Sequence, residues 1–353
     1  MKLIKAIFQE NDGSVMFSPI MLINAMKMFA AWTAGNTAAQ INQVMLFNKN
    51  KLLADYEDID NDDYIYDSHD DDQNYRDMGD VMTVNTALFV STNVIAADNI
   101  ANQIDFTNAT RAMKIINGWV EFQTKSRIKN LVTEFHKFTK IASITAAYYE
   151  AEWKYKFLPS NTKKVPFYTS LTKTIQVDMM SLTTKLSYKY IRAIDATVLE
   201  LPLKEKDVKL LVMLPKKIDG INMMIEKLPM IEMHNIKLRR ATREVHLELP
   251  KFIVDFEVDL KRTLINLGIK DLFTDANFSK LTDKTGILKV DVMIQKIVVE
   301  INENGAIMAT GARAMPPKKV FNFKVDHPFI YLFRQYNRIF YAGRVDFQDK
   351  ETE

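Results

Sequence analysis

The feature that most constrains this chain is the order of its textures, with helical spacing before residue 141 and strand-like runs after it. Thr197–Pro202, Val208–Pro215 and Val245–Pro250 are apolar β-type runs that each end in proline, a strand terminator. Further β-type runs cover Val290–Ile301, Val320–Val325, Phe329–Phe333 and Ile339–Val345. Before them, Met1–Phe8 reads as part of an amphipathic helix, and Leu22–Ala31 as a helix started by Ser18-Pro19. Thr37-Ala-Ala-Gln40 opens another helix with a capping-box pattern. Val81–Val90 is a strand candidate, and Thr110–Leu131 returns to helical spacing with Ile116, Trp119, Val120 and Ile128 on the apolar side. Leu260–Leu267 is a short late helix stopped by Gly268. With no repeat, no long linker and no Gly/Ser-rich break, this order predicts one α+β domain over residues 1–353 rather than βαβ units.

Charge excludes several functions. The net charge is only +3, which argues against a dedicated nucleic-acid binder. Asp55–Asp72 nevertheless holds ten acidic residues and no Lys or Arg, leaving +13 on the rest, and is expected to be a solvated loop. Within it, Asp58-Ile-Asp60-Asn-Asp62 approximates a calcium loop, but Asp63 stands where that loop needs Gly and His69 where it needs Glu. Cysteine is absent, which rules out disulfides, thiolate nucleophiles and Cys-ligated zinc. The five histidines have no metal-ligand spacing, so no metal or cofactor is expected. No G-x-S-x-G, P-loop or H-E-x-x-H occurs, so the common hydrolase and nucleotide signatures are absent and no catalytic residue is expected. No apolar run reaches membrane-spanning length, since Lys27 interrupts Ile20–Ala31. The start lacks the apolar core of a signal peptide and is expected to lie inside a mature protein. Sequons at Asn108-Ala-Thr and Asn277-Phe-Ser would suit a secreted glycoprotein.

A dozen short segments recur in family order: Phe17-Ser18-Pro19 with Gly35-Asn-Thr37-Ala-Ala-Gln40-Ile41, then Ile116-Asn117-Gly-Trp119-Val120 with Thr124 and Ile128. Trp153-Lys-Tyr-Lys-Phe157, Val177-Asp-Met179-Met180, Leu199-Glu-Leu-Pro202 and Val212-Met-Leu-Pro215 follow. Leu249-Pro250-Lys251-Phe252, Gly268-Ile-Lys-Asp271-Leu-Phe273, Phe278-Ser279, Glu303-Asn-Gly305, His327-Pro328-Phe329 and Gly343-Arg-Val345 close the series. In this order, over nearly the whole chain, they resemble the serpin family, with an insect, silk-gland-type texture. The resemblance implies three β-sheets, eight or nine helices and an exposed reactive-centre loop at about 306–323. It also implies that a target protease cleaves this loop as bait, and that the hinge end then inserts as a strand and traps the enzyme. Trp153 matches the family's tryptophan at the top of the sheet that opens, and His327 its turn into a strand. Met21, Thr145 and Gln295 align with a Ser–Asn–His polar cluster, so their joint change puts ordinary sheet opening in question. The stretch between Leu88 and Phe106 is about ten residues shorter than usual, which predicts a missing helix and a curtailed edge strand.

The loop residues refine this expectation. The hinge comprises Glu303, Gly305, Ala306 and Met308, and the protease-binding tip comprises Thr310, Arg313, Ala314, Met315, Pro316, Lys318 and Lys319. On insertion, Ala306, Met308, Thr310 and Ala312 would point inward. Met308 is too large for a typical hinge and would cost ~1–3 kcal/mol, toward the lower end because Met is flexible. Cleavage after Arg313 frees eight residues, about 26 Å of strand; cleavage after Lys319 frees fourteen, about 46 Å. Only the longer arm could carry a protease far. Pro316 and Pro317 also stiffen the tip. These residues predict a reversible or incompletely inserting inhibitor. Arg313, Lys318 and Lys319 suit a trypsin-like serine protease, whereas Ala312 or Ala314-Met315 suits a papain-like cysteine protease. The alternative is a non-inhibitory relative serving as carrier, chaperone or storage protein. Other expectations are weak heparin-like polyanion binding at Lys237, Arg239, Arg240 and Arg243, a monomer, no nucleic-acid or membrane partner, and an extracellular location.

Overall fold

A computed structural model describes residues 1–46, 85–94, 102–205, 207–231, 236, 238, 241, 243–282, 287–304, 320–336 and 338–347. The chain divides into two compact units, one of Met1–Ile20, Tyr149–Phe256 and Ile297–Glu353, the other of Met21–Tyr148 and Glu257–Lys296.

Three sheets are present, as the resemblance implies. The largest joins β1 (Val15–Phe17), β15 (Arg338–Val345), β14 (Phe329–Gln335), β9 (Val208–Pro215), β8 (Ala196–Pro202) and β7 (Ser187–Ile191), in that order. A four-stranded sheet has the order β13 (Phe321–Lys324), β10 (Glu244–Pro250), β6 (Thr174–Lys185) and β5 (Lys163–Tyr168). A five-stranded sheet has the order β11 (Phe252–Asp259), β12 (Val290–Ile301), β4 (Ile141–Glu150), β2 (Asn85–Ser91) and β3 (Asn102–Ile104). Six α-helices lie among the described residues: α1 (Lys2–Glu10), α2 (Pro19–Trp32), α3 (Gly35–Met45), α4 (Ala109–Gln123), α5 (Ile221–Lys227) and α6 (Leu260–Leu267). Among the described residues the remaining helical character is three-residue 3-10 turns such as Leu228–Met230 and Asp271–Phe273.

In the first unit, aromatic rings fill the core of the largest sheet. Tyr149 stacks on Tyr341 at 5.7 Å and meets Phe333 edge-on at 4.9 Å. Gly343 is required here: a Cβ at this position would lie 2.2 Å from Cζ of Tyr331, its cross-strand partner. The adjoining Arg344 is buried and donates to the carbonyls of Gly13, Phe8 and Asn11 at 2.8, 3.0 and 2.7 Å. It thereby satisfies carbonyls that the end of α1 would leave unpaired. In the second unit, Phe29 of α2 packs against Trp32 and Phe278.

Two local expectations are corrected. The Thr37/Gln40 pair is not a capping box. α3 begins at Gly35, two residues earlier, and the Thr37 hydroxyl accepts from the Asn277 amide at 3.1 Å. The Gln40 side-chain oxygen instead accepts from the amides of Lys270 and Asp271, at 2.8 and 3.0 Å, capping the 3-10 turn that starts there. The helix expected over Thr110–Leu131 stops at Gln123. Lys125, Ser126 and Asn130 adopt φ of 49°, 60° and 50°, which a right-handed helix cannot continue. Ile128 is still buried, but from the segment beyond the helix.

Candidate functional site: the two anchors of the loop at 305–319

The segment singled out for function leaves β12 and returns at β13, and the residues at its two ends are held by different chemistry. β12 alternates buried and partly exposed residues as far as Ile301. The next residue, Asn302, closes a turn, its side-chain oxygen accepting from the Asn304 amide at 2.9 Å. Its side-chain amide donates to Glu300 at 2.9 Å and to Glu150, the last residue of β4, at 3.2 Å. Asn304 donates to the same Glu150 oxygen at 2.6 Å. One carboxylate thus gathers both asparagines.

Trp153 secures the backbone of this turn. Its indole N–H donates to the Asn302 carbonyl at 2.7 Å, and its amide donates to the Asn304 carbonyl at 3.1 Å. The ring is fully buried and meets Phe157 edge-on at 5.8 Å. Glu303, between the two asparagines, is held from the other side. Lys251 sits 2.8 Å from one carboxylate oxygen, and the Thr162 hydroxyl donates to the other at 2.8 Å. Burial pushes the Glu303 pKa up, but hydrogen bonds from Lys251 and then Thr162 pull it down by more, so it ends below its ordinary value.

The return end is fastened differently, and its ion pair, Lys324 to Asp326 at 3.6 Å, lies beyond the residue nearest the segment. Phe321–Lys324 forms a short parallel ladder with β10, from Val245↔Phe321 to Glu248↔Lys324, continued by the Val325 amide donating to the Glu248 carbonyl at 2.9 Å. The Phe321 ring stacks face to face on Tyr188 of β7 at 4.1 Å, with 4° between the planes. The chain then turns at buried His327, whose ring nitrogens lie 2.9 Å from the Asp326 carboxylate and from the Pro215 carbonyl. This agrees with the structural role expected of that histidine.

Of the expected hinge residues, Glu303 is placed at this anchor, while Gly305, Ala306 and Met308 lie outside the described residues, as do Thr310, Arg313, Ala314, Met315, Pro316, Lys318 and Lys319. In the basic cluster only Arg243 is described, and it is exposed; Lys237, Arg239 and Arg240 are outside, as is Asp55–Asp72. Asn108 and Asn277 are both exposed. Met21, Thr145 and Gln295 are all buried, and the Thr145 hydroxyl lies 2.9 Å from that of Thr86 across the β2–β4 pair. Among the described residues no group of His, Asp or Glu could hold a metal, and no helix is long and apolar enough to cross a membrane. Sequence reasoning missed Glu150, Thr162, Tyr188 and Phe321 as anchor residues. Lys251 carried a signal, through Leu249-Pro250-Lys251-Phe252.

Comparison with known proteins converges. The family model described as serpin (serine protease inhibitor) matches residues 1–346. Serpin B3 of Homo sapiens is 30% identical, over 95% of this chain and 94% of its own. The leukocyte elastase inhibitor of Equus caballus is 30% identical, over 91% of this chain and 89% of its own. Among solved structures, Serpin48 of the insect Tenebrio molitor, described as a highly specific serpin, superposes with a TM-score of 0.80 and 27% identity, covering 98% of this chain and 94% of that one.

Proposed function

This chain belongs to the serpin family, and from that premise we propose that it inhibits an endopeptidase by offering residues 310–319 to the target's active-site cleft. The observation that carries this reading is the pair of separate anchors, at 302–304 and at 321, that tether the segment between them at both ends. A tethered substrate-like segment binds a cleft with less ordering cost than a free peptide. In this reading Arg313, Lys318 or Lys319 enters the acidic pocket of a trypsin-like serine protease. Ala312 or Ala314-Met315 serves a papain-like cysteine protease in the same way.

Trapping is reversible or incomplete in this reading. β12 and β4 are hydrogen-bonded neighbours, and a strand entering between them must first release Asn302 and Asn304 from Glu150. Met308 adds a methylene-rich side chain to the inward row, at ~1–3 kcal/mol. The exposed Asn108 and Asn277 sequons favour an extracellular glycoprotein, and exposed Arg243 leaves its cluster as a weak polyanion contact. We take the chain as one serpin domain.

Incubation with trypsin, an elastase and a cathepsin L-like enzyme tests this. Inhibition of one of them that is lost on substitution within Arg313–Met315 is the expected result. Rapid loop cleavage without inhibition would overturn it in favour of a carrier, chaperone or storage role. A stoichiometric SDS-stable complex with a serine protease would overturn the incomplete-insertion part alone.

A further inference from the structure

The outward face of α4 has no part in the loop chemistry, yet it carries a pattern that plain solubility does not require. Ala112, Ile116 and Val120 bury the inner face of the helix. On the opposite face Ile115 is 48% exposed and Phe122 81% exposed, two turns apart on one stripe. Gly118 lies between them, and a Cβ there would meet nothing within 4 Å. Arg111, Lys114 and Lys125 flank the stripe, all exposed. Among the described residues neither Lys114 nor Lys125 forms a salt bridge. The segment that follows repeats the chemistry: Phe138 is 65% exposed, with the Lys137 ammonium 5.1 Å from its ring centroid. Residues 111–140 contain seven Lys and Arg against two Glu, a local excess larger than the net charge of the whole chain.

From this we infer that the outward face of α4 docks on an anionic phospholipid surface. Water-exposed Phe and Ile gain by entering the headgroup–acyl boundary, while the flanking cations sit among anionic headgroups. A sulfated polysaccharide would engage only the cations and leave Phe122 in water, so the joint exposure of both chemistries favours lipid. The sequence reading expected no membrane partner because no segment can span one. Surface docking needs no span, only a helix face of this kind. The inference is independent of the inhibitory loop.

The test uses the full chain with phosphatidylcholine vesicles and with vesicles containing about 30 mole per cent phosphatidylserine, which carry a negative surface potential. The expected result is co-sedimentation with the anionic vesicles only, weakened about fivefold by each of Lys114→Ala and Lys125→Ala. Phe122→Ser should weaken it roughly tenfold through lost apolar insertion. In 1 M salt, where the screening length is about 3 Å, binding should largely disappear. Because Phe122 is exposed these chains fold, and a Phe122→Trp chain should show a blue-shifted emission on anionic vesicles. Equal partition onto neutral and anionic vesicles, or indifference to Phe122→Ser, would overturn the inference. So would retention on heparin, lost in the lysine variants, with no vesicle binding.

Discussion

The two ends of the candidate inhibitory loop are fastened by opposite physics. At the departing end, Asn302, Glu303 and Asn304 are held by Glu150, Lys251, Thr162 and the Trp153 N–H groups, all directional and several charged. At the returning end, Phe321 is held by a face-to-face ring stack and a four-residue parallel ladder. Polar fasteners depend on geometry and ionisation, so they can be released singly. A ring stack depends on buried area and is nearly indifferent to pH and salt. The end that must move in an inserting inhibitor is therefore the one held chiefly by releasable side-chain contacts, whereas at the end that must stay the contacts of Lys324 and His327 with Asp326 lie beyond the ring stack.

Trp153 gives the sharpest way to break this contrast, because it is where the polar end also has a buried apolar support. Trp153→Ala removes a fully buried ring and the indole hydrogen bond to Asn302, while keeping the backbone amide's bond to Asn304, and should destabilise the chain by about 3–5 kcal/mol in denaturant unfolding. A loss under about 1 kcal/mol would mean that the surrounding polar contacts hold the turn alone, and the support assigned to the ring would be wrong.

Acid should separate the two ends next. Glu303 has a folded-state pKa below its ordinary carboxylate value, so its contribution is present above that ordinary value and is lost as pH falls through the depressed one. Amide protection of Trp153, whose N–H donates to the Asn304 carbonyl, should drop on acidification through this range. Protection in the Phe321–Phe323 stretch of the parallel ladder, away from the Asp326 carboxylate, should persist. Glu303→Gln should reproduce the loss at neutral pH, costing roughly 1–2 kcal/mol for a partly buried charged contact. Loss of protection at both ends together would show that they are not fastened independently.

Legibility in the sequence divides along the same line. Elements with a local stop signal were read closely: Val208–Pro215 ends at its proline, Leu260–Leu267 at Gly268, and Val290–Ile301 keeps strict alternation through its second half. Strands without such marks were not. Thr174–Lys185 mixes buried, half-buried and exposed residues without a clean period, and Lys163–Tyr168 is an edge strand with half of its residues exposed, containing Pro166. Gln40 carried a capping-box signal that tertiary structure redirected to residues more than two hundred positions away. The anchors show the same limit. Glu303 was legible because it sits in a family-like triplet, whereas Glu150 and Thr162 reach it or its neighbours across about 140–150 positions, with no local signature.

The stack at the returning end gives the finest test. Tyr188 and Phe321 lie on different sheets, so their rings are the direct fastener between β7 and the residue that follows the loop. A double-mutant cycle with Tyr188→Ala and Phe321→Ala should return a coupling of about 0.5–1.5 kcal/mol. The same cycle on Lys251 and Glu303 should shrink as salt is raised, because ammonium and carboxylate are both partly in solvent. The ring coupling should not shrink, since screening acts on charge and not on buried area. If both couplings fell together with salt, Phe321 would be held by the electrostatics of its neighbours, and the contrast between the two ends would fail at the point where it is most exposed to measurement.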